Sequence, residues 1–279
     1  MTAIVTPEER FAEPRGARIL ILGPFGVGKT SLLRTLNTST ALFVDIEHGS
    51  LAVDDVPVPH IRPETWPEIR DLIVRVAGPN RSFQPHEPYS QAHFERVGGF
   101  LPDIERYTTV FLDTVTATSR LSLRWASAQP EAFSERGKPD LRSAYGLHAR
   151  EMLFALHHLQ SARGLNVILI GALETVNDEY GRVEHRLQAE GQRVPREIAG
   201  IVDVVVTMNW LSFNDDKPAQ RGFVCTSPNA WSFPGKDRSG RLSQLEPPDL
   251  GALIAKVLPP RANPAAAAAW SPPAPPLRQ

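Results

Sequence analysis

Gly23-Pro24-Phe25-Gly26-Val27-Gly28-Lys29-Thr30 matches the spacing G-x-x-x-x-G-K-[ST] at every fixed position, and the chemistry of that spacing is the holding of a nucleotide's phosphates. Glycines at 23, 26 and 28 let the backbone fold tightly enough for successive N–H groups to face phosphate oxygens. Lys29 supplies a cation for the β- and γ-phosphates, Thr30 a hydroxyl for Mg²⁺, and Ser31 carries the chain into the next element. The candidate cradle is therefore Gly23, Pro24, Phe25, Gly26, Val27, Gly28, Lys29, Thr30 and Ser31, with ATP and Mg²⁺ as the expected cofactors. A second chemical group is Asp113, which closes the apolar run Thr108-Thr109-Val110-Phe111-Leu112 and offers a carboxylate to the same Mg²⁺ shell as Thr30. A third is the acidic end of Ala41-Leu42-Phe43-Val44-Asp45-Ile46-Glu47-His48-Gly49, where spacing alone leaves Glu47 either a site carboxylate or a solvated loop residue.

These groups need elements that bring them together. Arg18-Ile19-Leu20-Ile21-Leu22 reads as a strand buried on both faces, followed by a helix opening at Ser31-Leu32-Leu33-Arg34-Thr35-Leu36. The runs 41–46, 108–113 and 166–171 read as further buried strands, 201–208 and 221–226 as two more, and 67–77, 143–163 and 247–258 as helices. Strands alternating with helices imply an α/β fold with a mostly parallel central sheet, helices on both faces and an antiparallel edge near 201–226. Ligands of such sheets sit at the carboxyl ends of the strands, which is where the phosphate loop, Glu47 and Asp113 fall. Residues 78–93, rich in proline and polar turn formers and containing His86 and His93, read as a solvated insertion and not as a metal site. The polar stretch 174–198 contains Arg182, Arg186, Arg193 and Arg196 among nearly as many acids, and reads as a functional loop or as a plain solvated β-hairpin. Residues 1–16 are expected to be an irregular lead-in, 17–258 the folded domain, and 259–279, rich in proline and alanine, a disordered tail.

At 279 residues with a net charge of −1, the chain has no global electrostatic case for nucleic acid, so DNA contacts must come from local patches. The single Cys225 excludes an internal disulfide framework, and the start lacks the basic-then-apolar order of a signal peptide. No apolar run approaches the ~18 residues of a membrane span, and a cytoplasmic location without membrane contact is expected.

The phosphate loop, the strand ending at Asp45-Ile46-Glu47, the strand ending at Asp113 and the turn Lys236-Asp237-Arg238 together resemble the RecA-like P-loop ATPases, in the same order across residues 17–258. Within that group the chain is most similar to small phage-encoded proteins of single-strand annealing and recombination. The resemblance implies that Glu47 orients or deprotonates the attacking water. It implies that Lys236 and Arg238 reach a neighbouring subunit's γ-phosphate, making the active species a homo-oligomer, ring or filament. It implies contact with single-stranded DNA through Arg182, Arg186, Arg193 and Arg196, and a single-strand-binding protein or other recombination partner. Two features depart from the pattern: Gly171-Ala172-Leu173-Glu174-Thr175 has no residue matching the polar sensor of the fourth strand, and 174–198, the position of a mobile DNA-contacting loop, has mixed charge. A nucleotide-switched scaffold or motor subunit that binds a protein partner and no DNA is the competing expectation.

Overall fold

The structure is a computed structural model that describes residues 4–162, 164–177, 181, 183–212 and 218–260. Its helices are α1 (Pro7–Ala12), α2 (Trp66–Ala77), α3 (Gln91–Arg96), α4 (Val115–Ser127), α5 (Leu141–Leu159), α6 (Arg193–Ile201) and α7 (Leu250–Val257). Its strands are β1 (Arg18–Gly23), β2 (Ala41–Asp45), β3 (His60–Ile61), β4 (Thr109–Asp113), β5 (Asn166–Asn177), β6 (Val183–Leu187), β7 (Val204–Leu211), β8 (Gln220–Val224), β9 (Lys236–Asp237) and β10 (Leu245–Glu246). One sheet runs in the order β10-β8-β7-β1-β5-β4-β2-β3, with β6 added to β5 and β9 to β7. From β7 to β3 every neighbour is parallel, and β8 with β10 forms an antiparallel margin. This is the α/β fold with a mostly parallel central sheet that the sequence implies.

The central strands β1, β2 and β4 are buried almost along their whole length because both sheet faces are covered, and successive side chains point to opposite faces. Leu20 and Leu22 of β1, Leu42 and Val44 of β2, Val110 and Leu112 of β4 and Val167 and Leu169 of β5 enter one core with Ile69 and Ile73 of α2, Met152 and Leu156 of α5 and Ile198 of α6. Ile19, Ile21, Phe43, Phe111, Ile168 and Ile170 enter the other, against Leu32, Leu33, Leu250 and Leu253. Cys225, directly after β8, is fully buried in this second core, and burial pushes its thiol up to about 12.

Helix starts follow local chemistry. Thr65 caps α2 in a reciprocal pair with Glu68, Thr114 caps α4 by accepting from the Ala117 N–H, and Asp249 caps α7. The same chemistry corrects the expectation of an irregular lead-in, because Thr6 and Glu9 form a capping box that starts α1.

Other expectations are also corrected. The helix after the phosphate loop is a six-residue 3₁₀ segment, Thr30–Thr35, and not an α-helix. The span 201–208 begins inside α6, and β7 is parallel to β1; the antiparallel member of the margin is β8. The insertion 78–93 is not simply solvated. Tyr89 is buried and stacks on His158 at 4.4 Å between centroids, and buried His93 bonds the Tyr89 N–H and Asp71, each at 2.8 Å. Of the two readings of 174–198, the hairpin holds for its first half, where β5 runs on to Asn177 and pairs antiparallel with β6, and the helix α6 that begins at Arg193 is the unexpected part. Of 259–279, residues 261–279 lie outside the described residues. No helix among the described residues is long and apolar enough to cross a membrane.

Candidate functional site

Parallel register brings the chemistry to one edge. Asp45 lies beside Asp113, Asp113 beside Ile170, and Gly23 beside Ala172, so the carboxyl ends of β2, β4 and β1 form a row across the middle of β5. A cavity of about 290 Å³ opens there, lined among others by Gly26, Gly28, Lys29, Thr30, Glu47 and Asp113. Gly26 and Gly28 have φ of 77° and 96°, left-handed values that L side chains adopt only with strain. A Cβ on Gly28 would also lie 2.5 Å from Arg221 Nη1. Within the loop Val27 is buried and anchors it in the second core, while Phe25 is exposed at its tip.

Lys29 Nζ donates to the carbonyls of Gly23, at 2.9 Å, and Pro24, at 2.8 Å, so the ammonium is folded back over its own loop. Burial lowers its pKa, opposed by the nearby charges of Asp113 and Glu47. Thr30 Oγ1 donates to Asp113 Oδ2 at 2.5 Å. Burial raises the Asp113 carboxyl to about 6; the Thr30 hydrogen bond and Lys29 pull it down, and Glu47 and Asp45 push it up. Hydroxyl and carboxylate oxygens are the hard donors Mg²⁺ takes, and these two already share one point in space, so Thr30 and Asp113 fit the ion.

Glu47 is exposed just past β2, and three contacts aim it. The Ile46 and Glu47 N–H groups donate to the Asp113 carbonyl at 2.8 and 3.3 Å, and Thr114 Oγ1 donates to Glu47 Oε1 at 2.7 Å. Asp45 is committed elsewhere: its carboxylate accepts from the Gly49 N–H at 2.9 Å and from Arg62 Nε at 3.1 Å, closing the turn that carries Glu47. The site thus assembles Lys29, Thr30, Asp113 and Glu47 in one cavity.

Other candidates lie apart from it. Lys236 donates to the carbonyls of Ala199 and, at 2.8 Å, Val202; Arg238 donates to the Gly200 carbonyl at 2.9 Å and to Asp203 at 3.2 Å. They cap the carboxyl end of α6, where cations are favoured. Since β9 pairs with Val204 and Val205 at the start of β7, level with Ile19, they sit at the far end of the sheet, about 13 Å of strand from Gly23. The in-chain contacts of these two residues are therefore structural, and a role in trans would require breaking them. Arg186 is paired with Glu174 at 2.7 Å and Arg193 with Glu197 at 3.0 Å, while Arg196 is exposed and Arg182 lies outside the described residues. Ala172 lines the cavity at the end of the strand where the resemblance implies a polar sensor, and Glu174 is turned to Arg186 on β6.

Thr114 and Arg221 belong to no motif and carry no local signal of a role. Arg221 faces Trp210 across β7 and β8, stacks on its ring at 5.6 Å and donates to the Val27 carbonyl at 3.3 Å, bracing the phosphate loop from the antiparallel margin.

A family model described as an AAA domain matches residues 15–239. The chain belongs to the AAA domain family. Among solved structures this AAA protein is similar to the RadB recombinase, at TM-score 0.38 and 15% identity over 76% of this chain and 81% of that one. It is also similar to a prototypical ATPase from the type III secretion system of pathogenic bacteria, at TM-score 0.40 and 15% identity over 70% of this chain and 51% of that one, about half its length. No curated protein matches the chain. Family membership and the phosphate loop make it a nucleotide-binding P-loop protein.

Proposed function

We infer that the chain is a Mg²⁺-dependent ATPase, and the observation that carries this is the joining of Lys29, Thr30, Asp113 and the Thr114-held Glu47 in one cavity. Lys29 leaves the Gly23 and Pro24 carbonyls for the β- and γ-phosphates, exchanging neutral acceptors for charged ones. Thr30 and Asp113 hold Mg²⁺, which supplies charge neutralisation on the phosphates. Glu47 accepts a proton from water as the water oxygen bonds to the γ-phosphorus. The bond from that phosphorus to the bridging oxygen breaks, and ADP leaves with the bond's electron pair. Release of phosphate from ATP, lost in Lys29→Ala while the fold persists, is the direct test. Full activity in that variant would overturn the assignment.

Single-stranded DNA in recombination or annealing is the partner that the RecA-like resemblance supports, through Arg196 and the neighbouring basic residues. A protein partner with no DNA is the second reading, favoured by the Arg186–Glu174 and Arg193–Glu197 pairs, which neutralise two of the expected contacts. ATPase rates with and without single-stranded DNA separate them: stimulation supports the first, and no response supports the second.

A further inference from the structure

We propose that the chain has a second anion site, fitted to phosphate groups, in a crevice at the opposite end of the sheet from the phosphate loop. The crevice has a volume of about 630 Å³, within the usual range for small-ligand sites. Its walls are the end of α1, the start of β1, the residues after α5, the turn after β9 and the end of α7. Five arginines line it, Arg10, Arg15, Arg18, Arg238 and Arg241, against two acids, Glu13 and Asp203, and Arg15 also donates to the Pro259 carbonyl.

The imbalance is sharpest at Asp203, which serves two arginines at once, Arg238 at 3.2 Å and Arg18 at 3.9 Å. Arg18 Nε is buried and has no hydrogen-bond partner among the described residues. The Arg18 Nη atoms donate to the carbonyls of Gly16, Gln160 and Ala162, and burial lowers its pKa with Asp203 opposing it, so Nε is the one donor of this largely buried cation left for an arriving anion. Arginine is the side chain whose planar fork matches phosphate oxygens in pairs. Among the described residues no aromatic lines the crevice, whereas grooves that track single-stranded nucleic acid combine basic groups with stacking rings. The ligand class is therefore a compact phosphate-bearing anion of nucleotide size or less, whose source is either a free nucleotide or the 5′-phosphate end of a nucleic acid.

The site shares no residue with the candidate nucleotide cavity, so the two can be tested apart. Calorimetric titration of the full chain carrying Lys29→Ala with inorganic pyrophosphate should retain one binding event. Adding Arg10→Gln and Arg241→Gln, both exposed, should weaken that event ten-fold or more without changing the melting temperature. The two glutamine substitutions alone should leave Mg²⁺-ATP binding at the phosphate loop intact. Loss of all pyrophosphate binding in Lys29→Ala, or an unchanged affinity after the glutamine substitutions, would overturn the proposal. Displacement by ADP assigns the free-nucleotide source. Displacement by a 5′-phosphorylated oligonucleotide, but not by its 5′-hydroxyl counterpart, assigns the nucleic-acid end. Equal displacement by both oligonucleotides, or by none of the three competitors, counts against a site for compact phosphate.

Discussion

Asp113 is under two opposing demands, since burial favours its neutral form and a metal ion requires its charged one. With its carboxyl raised to about 6, apparent Mg²⁺ affinity in the presence of ATP should fall as pH drops through that value, and magnesium titrations on either side of it check this. In the metal-free chain the sign reverses. The folded pKa exceeds the unfolded one, so the stability this group contributes is complete below the unfolded value of 3.8 and is lost as pH rises through about 6. The loss is on the order of 2–3 kcal/mol. Asp113→Asn should flatten that slope in urea titrations and stabilise the metal-free chain at neutral pH, while weakening Mg²⁺-dependent turnover; slopes that overlay those of the parent would contradict it. Glu47→Gln should bind ATP normally and hydrolyse it about 10²–10⁴-fold more slowly, because an amide keeps the shape but accepts no proton. Single-turnover rates decide this, and an unchanged rate would return Glu47 to the status of a solvated loop residue. Thr114→Val should lower the same rate by a smaller factor, and Thr114→Ser should restore it, since serine keeps the hydroxyl that holds Glu47.

Among the elements, the helix cap made by Lys236 and Arg238 gives a direct choice between two roles. As α6 capping groups they predict that Arg238→Ala lowers stability by about 0.3–1 kcal/mol and leaves ATPase activity unchanged at all protein concentrations. As a finger in trans they predict the opposite: loss of activity, with partial recovery when Arg238→Ala protein is mixed with Lys29→Ala protein. Turnover of the mixture against each variant alone is the measurement. The parallel strands were legible from sequence because burial on both faces makes them continuous apolar runs, as in 18–22 and 108–112. In 174–198 the hairpin was legible only as one of two open readings, and the helix not at all. β6 presents only Leu187 as a buried residue, and α6 is apolar at Val194, Ile198 and Ile201 amid charges that read as loop.

At the scale of the molecule, the site divides by how much each residue depends on neighbours distant in sequence. Lys29 and Thr30 belong to a contiguous motif and Asp113 to the end of an apolar strand, so local pattern sufficed. Thr114 and Arg221 act only because the sheet order sets β4 next to β2 and β8 two strands from β1, information that no local window contains. Arg221 also ties the chain's one cysteine to the nucleotide cavity. It stands on β8, and Cys225 follows that strand directly, fully buried and with a thiol so weakly acidic that about one in 10⁵ is ionised at neutral pH. A disulfide reagent can therefore modify the native chain only at the moments when the antiparallel margin lifts off the core, and the labelling rate measures how often that happens. If ATP bound at the phosphate loop tightens the contact between Val27 and Arg221, labelling of Cys225 will slow in its presence. In Arg221→Ala that protection will be lost, giving a readout of nucleotide occupancy that requires no hydrolysis.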